Sequence, residues 1–177
     1  MKKENMLVIA LICIAFTGVM IHNHIKEGGA VETAPKKTSE QGSRDAGIQW
    51  KGYAEGMELA KSRNKNIFLY FHAEWCTYCK KMEATTFKDK KVSTYLNENF
   101  ISIQIDTDKD TEISNQWKVR GLPTIWFLKP DGTKVNNLPG YVDEEYLSKV
   151  LNYIQSGKYE KMSFNEFQET LKGNNRQ

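Results

Sequence analysis

Apolar positions fall into two kinds of run along this chain. The first kind is unbroken. Behind Lys2 and Lys3, Met6–Ile21 is uncharged and mostly apolar over 16 residues. The second kind is short and punctuated. Ile67-Phe68-Leu69-Tyr70-Phe71 has the length and continuity of a strand buried on both faces. Ile101–Asp106 alternates, with Ile101, Ile103 and Ile105 on one face. Thr124–Leu128 reads as a strand after Pro123. The turn signal Pro130-Asp131-Gly132 then makes Lys134–Leu138 the second arm of a hairpin.

Between these runs the spacing turns helical. Tyr53–Ser62 places Tyr53, Met57 and Ala60 on one face. A helix is expected from about Cys76 to Phe87, a short one over Lys91–Leu96, and another over Asp110–Trp117. Asp143 caps a helix to about Ile154, with Tyr146, Leu147, Val150, Leu151 and Ile154 apolar. Ser163 and Glu166 form a capping-box pattern before the stripe Phe164, Phe167, Leu171. A βαβ unit followed by a hairpin and a closing helix predicts an α/β fold, with a central mixed β-sheet flanked by helices.

The ends divide from this core. Residues 1–25 read as a signal anchor or signal peptide, 26–47 as a flexible linker, 48–156 as the folded domain and 157–177 as a helical extension. The Met6–Ile21 run is slightly long for a secretory segment and slightly short for a full span. His22-Asn23-His24 offers no small-x-small cleavage site, and Ile12 before Cys13 does not suit a lipoprotein, so an uncleaved anchor is favoured over a cleaved signal. Lys2 and Lys3 orient the N-terminus inward. The domain is then expected outside the cytoplasmic membrane, where disulfides form. The linker is rich in Gly, Ser, Thr, Lys and Glu without aromatics. It buries too little to fold and reaches roughly 25 Å as a coil.

Charge and cysteine usage narrow the chemistry. The net charge of +3 is interspersed, which excludes a nucleic-acid footprint. Of three cysteines, Cys13 lies in the apolar run, leaving Cys76 and Cys79 to the folded part. That is no disulfide scaffold. A structural zinc site wants four ligands, and one Cys-x-x-Cys pair with three His, two of them in the N-terminal flank, argues against a metal. The pair stands at a strand-to-helix junction, Trp75-Cys76-Thr77-Tyr78-Cys79-Lys80. The first sulfur sits at a helix N-terminus, where unpaired N–H groups and the dipole favour a thiolate. The second lies one turn inward. This arrangement suits dithiol–disulfide exchange, with the Cys76–Cys79 disulfide itself as the redox group and no separate cofactor.

The order of elements, with Ile67 through Lys80 and the later Val119-Arg120-Gly121-Leu122-Pro123-Thr124, resembles the thioredoxin superfamily over roughly residues 48–155. Lys80-Lys81-Met82-Glu83, Thr86-Phe87 and Ile105-Asp106 bring it nearer the C-terminal periplasmic domain of DsbD-type thiol:disulfide interchange proteins and related membrane-anchored thioredoxin-like proteins. The DsbD-type transmembrane electron-carrying domain has no counterpart here, so a free-standing module fed by another protein is expected. The resemblance implies a cis-proline at Pro123, after Leu122, facing the disulfide, and a functional carboxylate at Glu83. It also exposes a departure: the superfamily's usual buried Asp, six residues before the first cysteine, is Tyr70.

The expected roles follow. Cys76 is the nucleophile and Cys79 the resolving thiol. Glu83, seven residues from Cys76 and four from Cys79, shares their helix face and is the candidate proton acceptor. Trp75, Tyr78, Leu122 and Pro123 are expected to bind substrate, with Pro123 leaving neighbouring backbone groups free to pair with an extended segment. The function expected is an extracytoplasmic thiol–disulfide oxidoreductase, mainly a protein-disulfide reductase. Its expected partners are disulfide-bearing exported proteins, c-type cytochrome maturation components, a transmembrane electron donor and, through the anchor, the cytoplasmic membrane. The alternatives are an oxidant or isomerase, and a binding or redox-sensing module.

Overall fold

The computed structural model of the protein describes residues 47–174. The expected signal segment and all of the linker but Gly47 lie outside the described residues. Five strands form one sheet in the order β1 (Trp50–Lys51), β3 (Phe100–Asp106), β2 (Asn66–His72), β4 (Thr124–Leu128), β5 (Lys134–Pro139). The first three run parallel; β4 pairs antiparallel with β2, and β5 with β4. Among the described residues, six α-helices accompany it: α1 (Tyr53–Arg63), α2 (Thr77–Ala84), α3 (Lys90–Asn99), α4 (Thr111–Gln116), α5 (Glu144–Gln155) and α6 (Phe164–Asn174).

Period-two alternation splits the core between the two faces of the sheet. Ile67, Leu69 and Phe71 of β2 join Ile101, Ile103 and Ile105 of β3 beneath Ala60 of α1. Phe68 and Tyr70 point the other way, toward Met82, Val92, Leu96, Leu147 and Leu151 on α2, α3 and α5. Each fully buried aliphatic or aromatic side chain contributes about 1.5–3 kcal/mol. β2 is therefore held from both sides, and its C-terminal end is a rigid platform.

Helix ends follow local chemistry where a side chain caps them. Asp89 accepts from the Val92 amide at 2.9 Å and Asp143 from the Tyr146 amide at 2.8 Å. Ser163 and Glu166 close the expected capping box, the Ser163 amide donating to Glu166 at 2.7 Å.

One expected helix needs correction, and one strand was missed. The helix expected over Cys76–Phe87 ends at Ala84, and a short 3₁₀ turn, Thr86–Lys88, follows. Thr86 is buried and its hydroxyl donates to the Val142 carbonyl at 2.8 Å, which pulls the chain out of helical register. Phe87 then turns inward against Tyr70, ring centroids 4.9 Å apart. Cys76 is the N-cap of α2, at its start as expected. Finally, β1 was not expected: two residues are too few to show a period, and Trp50 pairs beside Ser102 only once β3 exists.

The C-terminal helix packs on α5. Phe167 is buried, its ring 5.3 Å from Tyr153, and the Tyr153 hydroxyl donates to the Met162 carbonyl at 2.6 Å. Among the described residues, no helix is long and apolar enough to cross a membrane.

Candidate active site

β2 delivers the chain to the dithiol. After His72 a tight turn forms, with the Cys76 amide donating to the Ala73 carbonyl at 3.1 Å. Cys76 adopts extended backbone and caps α2, and the Cys79 amide donates to its sulfur at 3.1 Å. This satisfies one of the N–H groups that a helix start leaves unpaired, and it puts the dipole's positive end on Cys76. The two cysteines form a disulfide. Cys76 is 5% exposed and Cys79 fully buried, so a partner's sulfur reaches Cys76 first.

Aromatic surface surrounds the sulfurs. Trp75 is 67% exposed and Tyr78 60%, the two most exposed large apolar side chains among the described residues. Trp75 is nonetheless fixed: its indole N–H donates to the Asp108 carboxylate at 2.9 Å. Beneath it, Lys109 reaches Glu74 and Asp106, each at 2.9 Å. The Lys109 bond is the main force holding the Asp106 carboxyl below the ordinary carboxylate range, helped by the Asp108 amide and nearby His72. Tyr78 approaches Tyr141, ring centroids 6.4 Å apart, and Lys81 caps the Tyr141 ring at 4.4 Å.

The Val119–Pro123 loop comes from topology. Phe71 of β2 pairs with Thr124, the first residue of antiparallel β4. The loop before Thr124 therefore lies at the sheet end where β2 leads into Cys76. The Leu122–Pro123 peptide bond is cis. The Thr124 hydroxyl donates to the Gly121 carbonyl at 2.7 Å, and the Gly140 amide to the Pro123 carbonyl at 2.8 Å. Leu122 and Trp75 line one open hollow of about 200 Å³, together with Val119, Arg120 and Gly121.

Glu83 lies on α2 four residues after Cys79, on the same helix face. Its carboxylate accepts from the Tyr70 hydroxyl at 3.2 Å and stands 3.6 Å from Nδ1 of His72. The Tyr70 and His72 rings stack at 5.4 Å. Burial first, then the charge and hydrogen bond of Glu83, hold the Tyr70 hydroxyl far above the ordinary phenol range, so it remains a donor. The site left without an Asp thus has a carboxylate that arrives from α2 instead of β2.

The structure gathers Trp75, Cys76, Tyr78, Cys79 and Glu83 on one turn and helix, and sets Leu122 and Pro123 on the loop beside them. Asp108 escaped sequence reasoning, as did the link from Glu83 to Tyr70 and His72. The signal for the first was the Asp106-x-Asp108 segment at the end of a strand parallel to β2, which ends opposite His72.

A family model described as a thioredoxin-like domain matches residues 53–155. The thiol:disulfide interchange protein DsbD of Vibrio cholerae is 35% identical over 124 residues, which are 63% of this chain and 20% of that protein. The chain thus spans about a fifth of the length of this relative. The disulfide bond reductase DsbH of Chlamydia pneumoniae is 28% identical over 125 residues, 62% of this chain and 75% of that protein. The solution structure of a thioredoxin from Thermus thermophilus superimposes with a TM-score of 0.57 at 28% identity, covering 62% of this chain and 88% of that one. With its five-stranded mixed sheet and a Cys76–Cys79 pair at the start of α2, this chain belongs to the thioredoxin-like domain family.

Proposed function

We propose that the protein is an extracytoplasmic thiol–disulfide oxidoreductase that reduces disulfides of exported proteins. The observation that carries this reading is Cys76 at the helix N-cap, its sulfur accepting from the Cys79 amide, with the second cysteine buried behind it. In the reduced protein that donor favours a Cys76 thiolate. The thiolate attacks a substrate disulfide, forms a mixed disulfide and releases one substrate thiolate. Cys79 loses its proton to Glu83 and attacks Cys76, and the second substrate thiolate leaves. Two electrons pass from the dithiol to the substrate, and the Cys76–Cys79 disulfide is restored. Trp75, Tyr78 and Leu122 offer apolar surface to the incoming segment, and the backbone around Pro123 offers it hydrogen bonds.

The relative named a disulfide bond reductase supports the reducing direction. The basic and apolar N-terminal sequence supports a place outside the cytoplasmic membrane. A reductase there requires electrons from a membrane donor.

Reduced wild type should cleave the disulfides of a protein such as insulin, and Cys76→Ser should not. Activity retained by Cys76→Ser sinks the proposal. Equilibration with glutathione tests direction: a potential near about −270 mV supports a reductase, and one near about −120 mV makes the protein an oxidant.

A further inference from the structure

We propose that Tyr70 and His72 are positioning residues that hold the Glu83 carboxylate, the first by a hydrogen bond and the second by close approach of its ring nitrogen, on the Cys79 face of α2 as acceptor of the Cys79 proton. The inference rests on the exchange chemistry proposed above and assigns two residues to its second step.

The geometry is specific. Glu83 is half-buried and four residues from Cys79 on α2, so the two are neighbours on one face. An unrestrained Glu on a helix samples many rotamers. Here two groups of β2 restrict it, the Tyr70 hydroxyl at 3.2 Å and His72 Nδ1 at 3.6 Å. Those two rings are themselves fixed. They stack nearly parallel, at 7°, and Tyr70 is fully buried with Trp50 against its ring at 5.7 Å. Beyond Glu83 lies a hollow of about 340 Å³, bordered by Ile48, Trp50, Phe87, Lys88 and Gln104. It gives a proton taken from Cys79 a way out to water.

Other charges face the pair. Asp106 on β3 is the register partner of His72 and is bound to Lys109. Lys88 stands across the hollow, and Lys80 lies one turn earlier on α2. His72 therefore sits between two carboxylates, Glu83 and Asp106. The Lys109 bond already occupies Asp106, which leaves Glu83 to face Nδ1 of His72.

The step balances. The Cys76 thiolate attacks an aromatic disulfide and expels one aryl thiolate. The proton on Cys79 passes to Glu83, the Cys79 thiolate attacks Cys76, and a second aryl thiolate leaves. Two electrons leave the dithiol, and the proton goes from Glu83 to water.

The test is a stopped-flow reaction of the reduced full chain with excess 5,5′-dithiobis(2-nitrobenzoate), across pH. The first phase reports attack by Cys76. The second, absent in Cys79→Ser, reports resolution by Cys79. A base that must be ionised gives the second phase an acidic limb, which Glu83→Gln should remove. Tyr70→Phe keeps the ring and deletes only the donor. The ionised carboxylate then loses a hydrogen-bond donor, so the limb should move to higher pH. The second phase is then slower than in wild type at low pH and converges with it at high pH. His72→Gln should move the limb in the same direction. A limb that stays in place in either variant overturns the proposal. So does uniform slowing without a shift, which signals lost packing alone. Absence of the first phase in wild type would instead refute the exchange chemistry itself.

Discussion

The backbone amide of Cys79 points at the sulfur of Cys76 from 3.1 Å, so the proposed resolving residue also holds the proposed nucleophile. In the reduced protein this donor and the start of α2 act on Cys76 alone, while Cys79 is buried among apolar side chains. Iodoacetamide at about pH 7 should therefore modify Cys76 ahead of Cys79 by roughly 100-fold, because the thiolate is the reacting form. Peptide mass spectrometry reads the order of labelling. Labelling of Cys79 first would contradict the assignment of roles.

Trp75 is exposed yet tied to Asp108 at 2.9 Å. Losing that tie leaves a large aromatic free to move at the rim of the site, so ordering it becomes a cost of binding. Asp108→Ala should lower kcat/KM on protein disulfides about three- to tenfold, chiefly through KM. Asp108→Asn keeps an acceptor and should retain most of the activity. Equal losses in the two variants would show that the charge of Asp108 matters, not its hold on Trp75.

Asp106 supplies a stability term with a defined pH window. Its carboxyl is held below the ordinary value, first by the Lys109 bond. A depressed folded-state value means stability that is present above the unfolded value, about 3.9, and lost as pH falls through the folded one. Urea melts of wild type should weaken progressively below about pH 4, and Asp106→Asn should remove the part of that slope due to this group. Identical slopes in wild type and variant would show that Asp106 makes no such contribution.

Gly56 sits inside α1, where a change to Ala normally stabilises by about 1 kcal/mol. Here an added Cβ would run into Ile103 of β3, reaching Cδ1 at 2.6 Å and Cγ1 closer still. Ile103 is fully buried in the core between the sheet and α1. Gly56→Ala should therefore destabilise the domain by about 1–3 kcal/mol in chemical denaturation. A stabilised variant would mean that α1 shifts freely on the sheet.

The fold was legible wherever a signal is local. The apolar run at Ile67 and the alternation at Ile101 set strands because period two acts between adjacent residues. Thr124–Leu128 is a strand over the very residues expected. Asp143 caps its helix as read, and the box formed by Ser163 and Glu166 closes. What stayed hidden depended on partners far along the chain. Helix α2 stops at Ala84 partly because the Thr86 hydroxyl finds the carbonyl of Val142, 56 residues away. Nothing in the segment around Thr86 announces that acceptor. Strand β1 likewise borrows its existence from β3.

The site divides in the same way. The strand-to-helix junction and the spacing of Cys76, Cys79 and Glu83 are contained in a few consecutive residues, so the sequence by itself determined that a dithiol stands at a helix start with a carboxylate on the same face. Tyr70 could be read only as an Asp lost. Tertiary structure turned that loss into a donor, because packing β2 against α2 brings its hydroxyl to Glu83 across 13 residues of chain. His72 and Asp108 gained their places in the same way, from the docking of α2 on β2 and from the register of β2 against β3. Such contacts depend on how elements are placed against one another, and that placement is decided by the burial of both sheet faces at once.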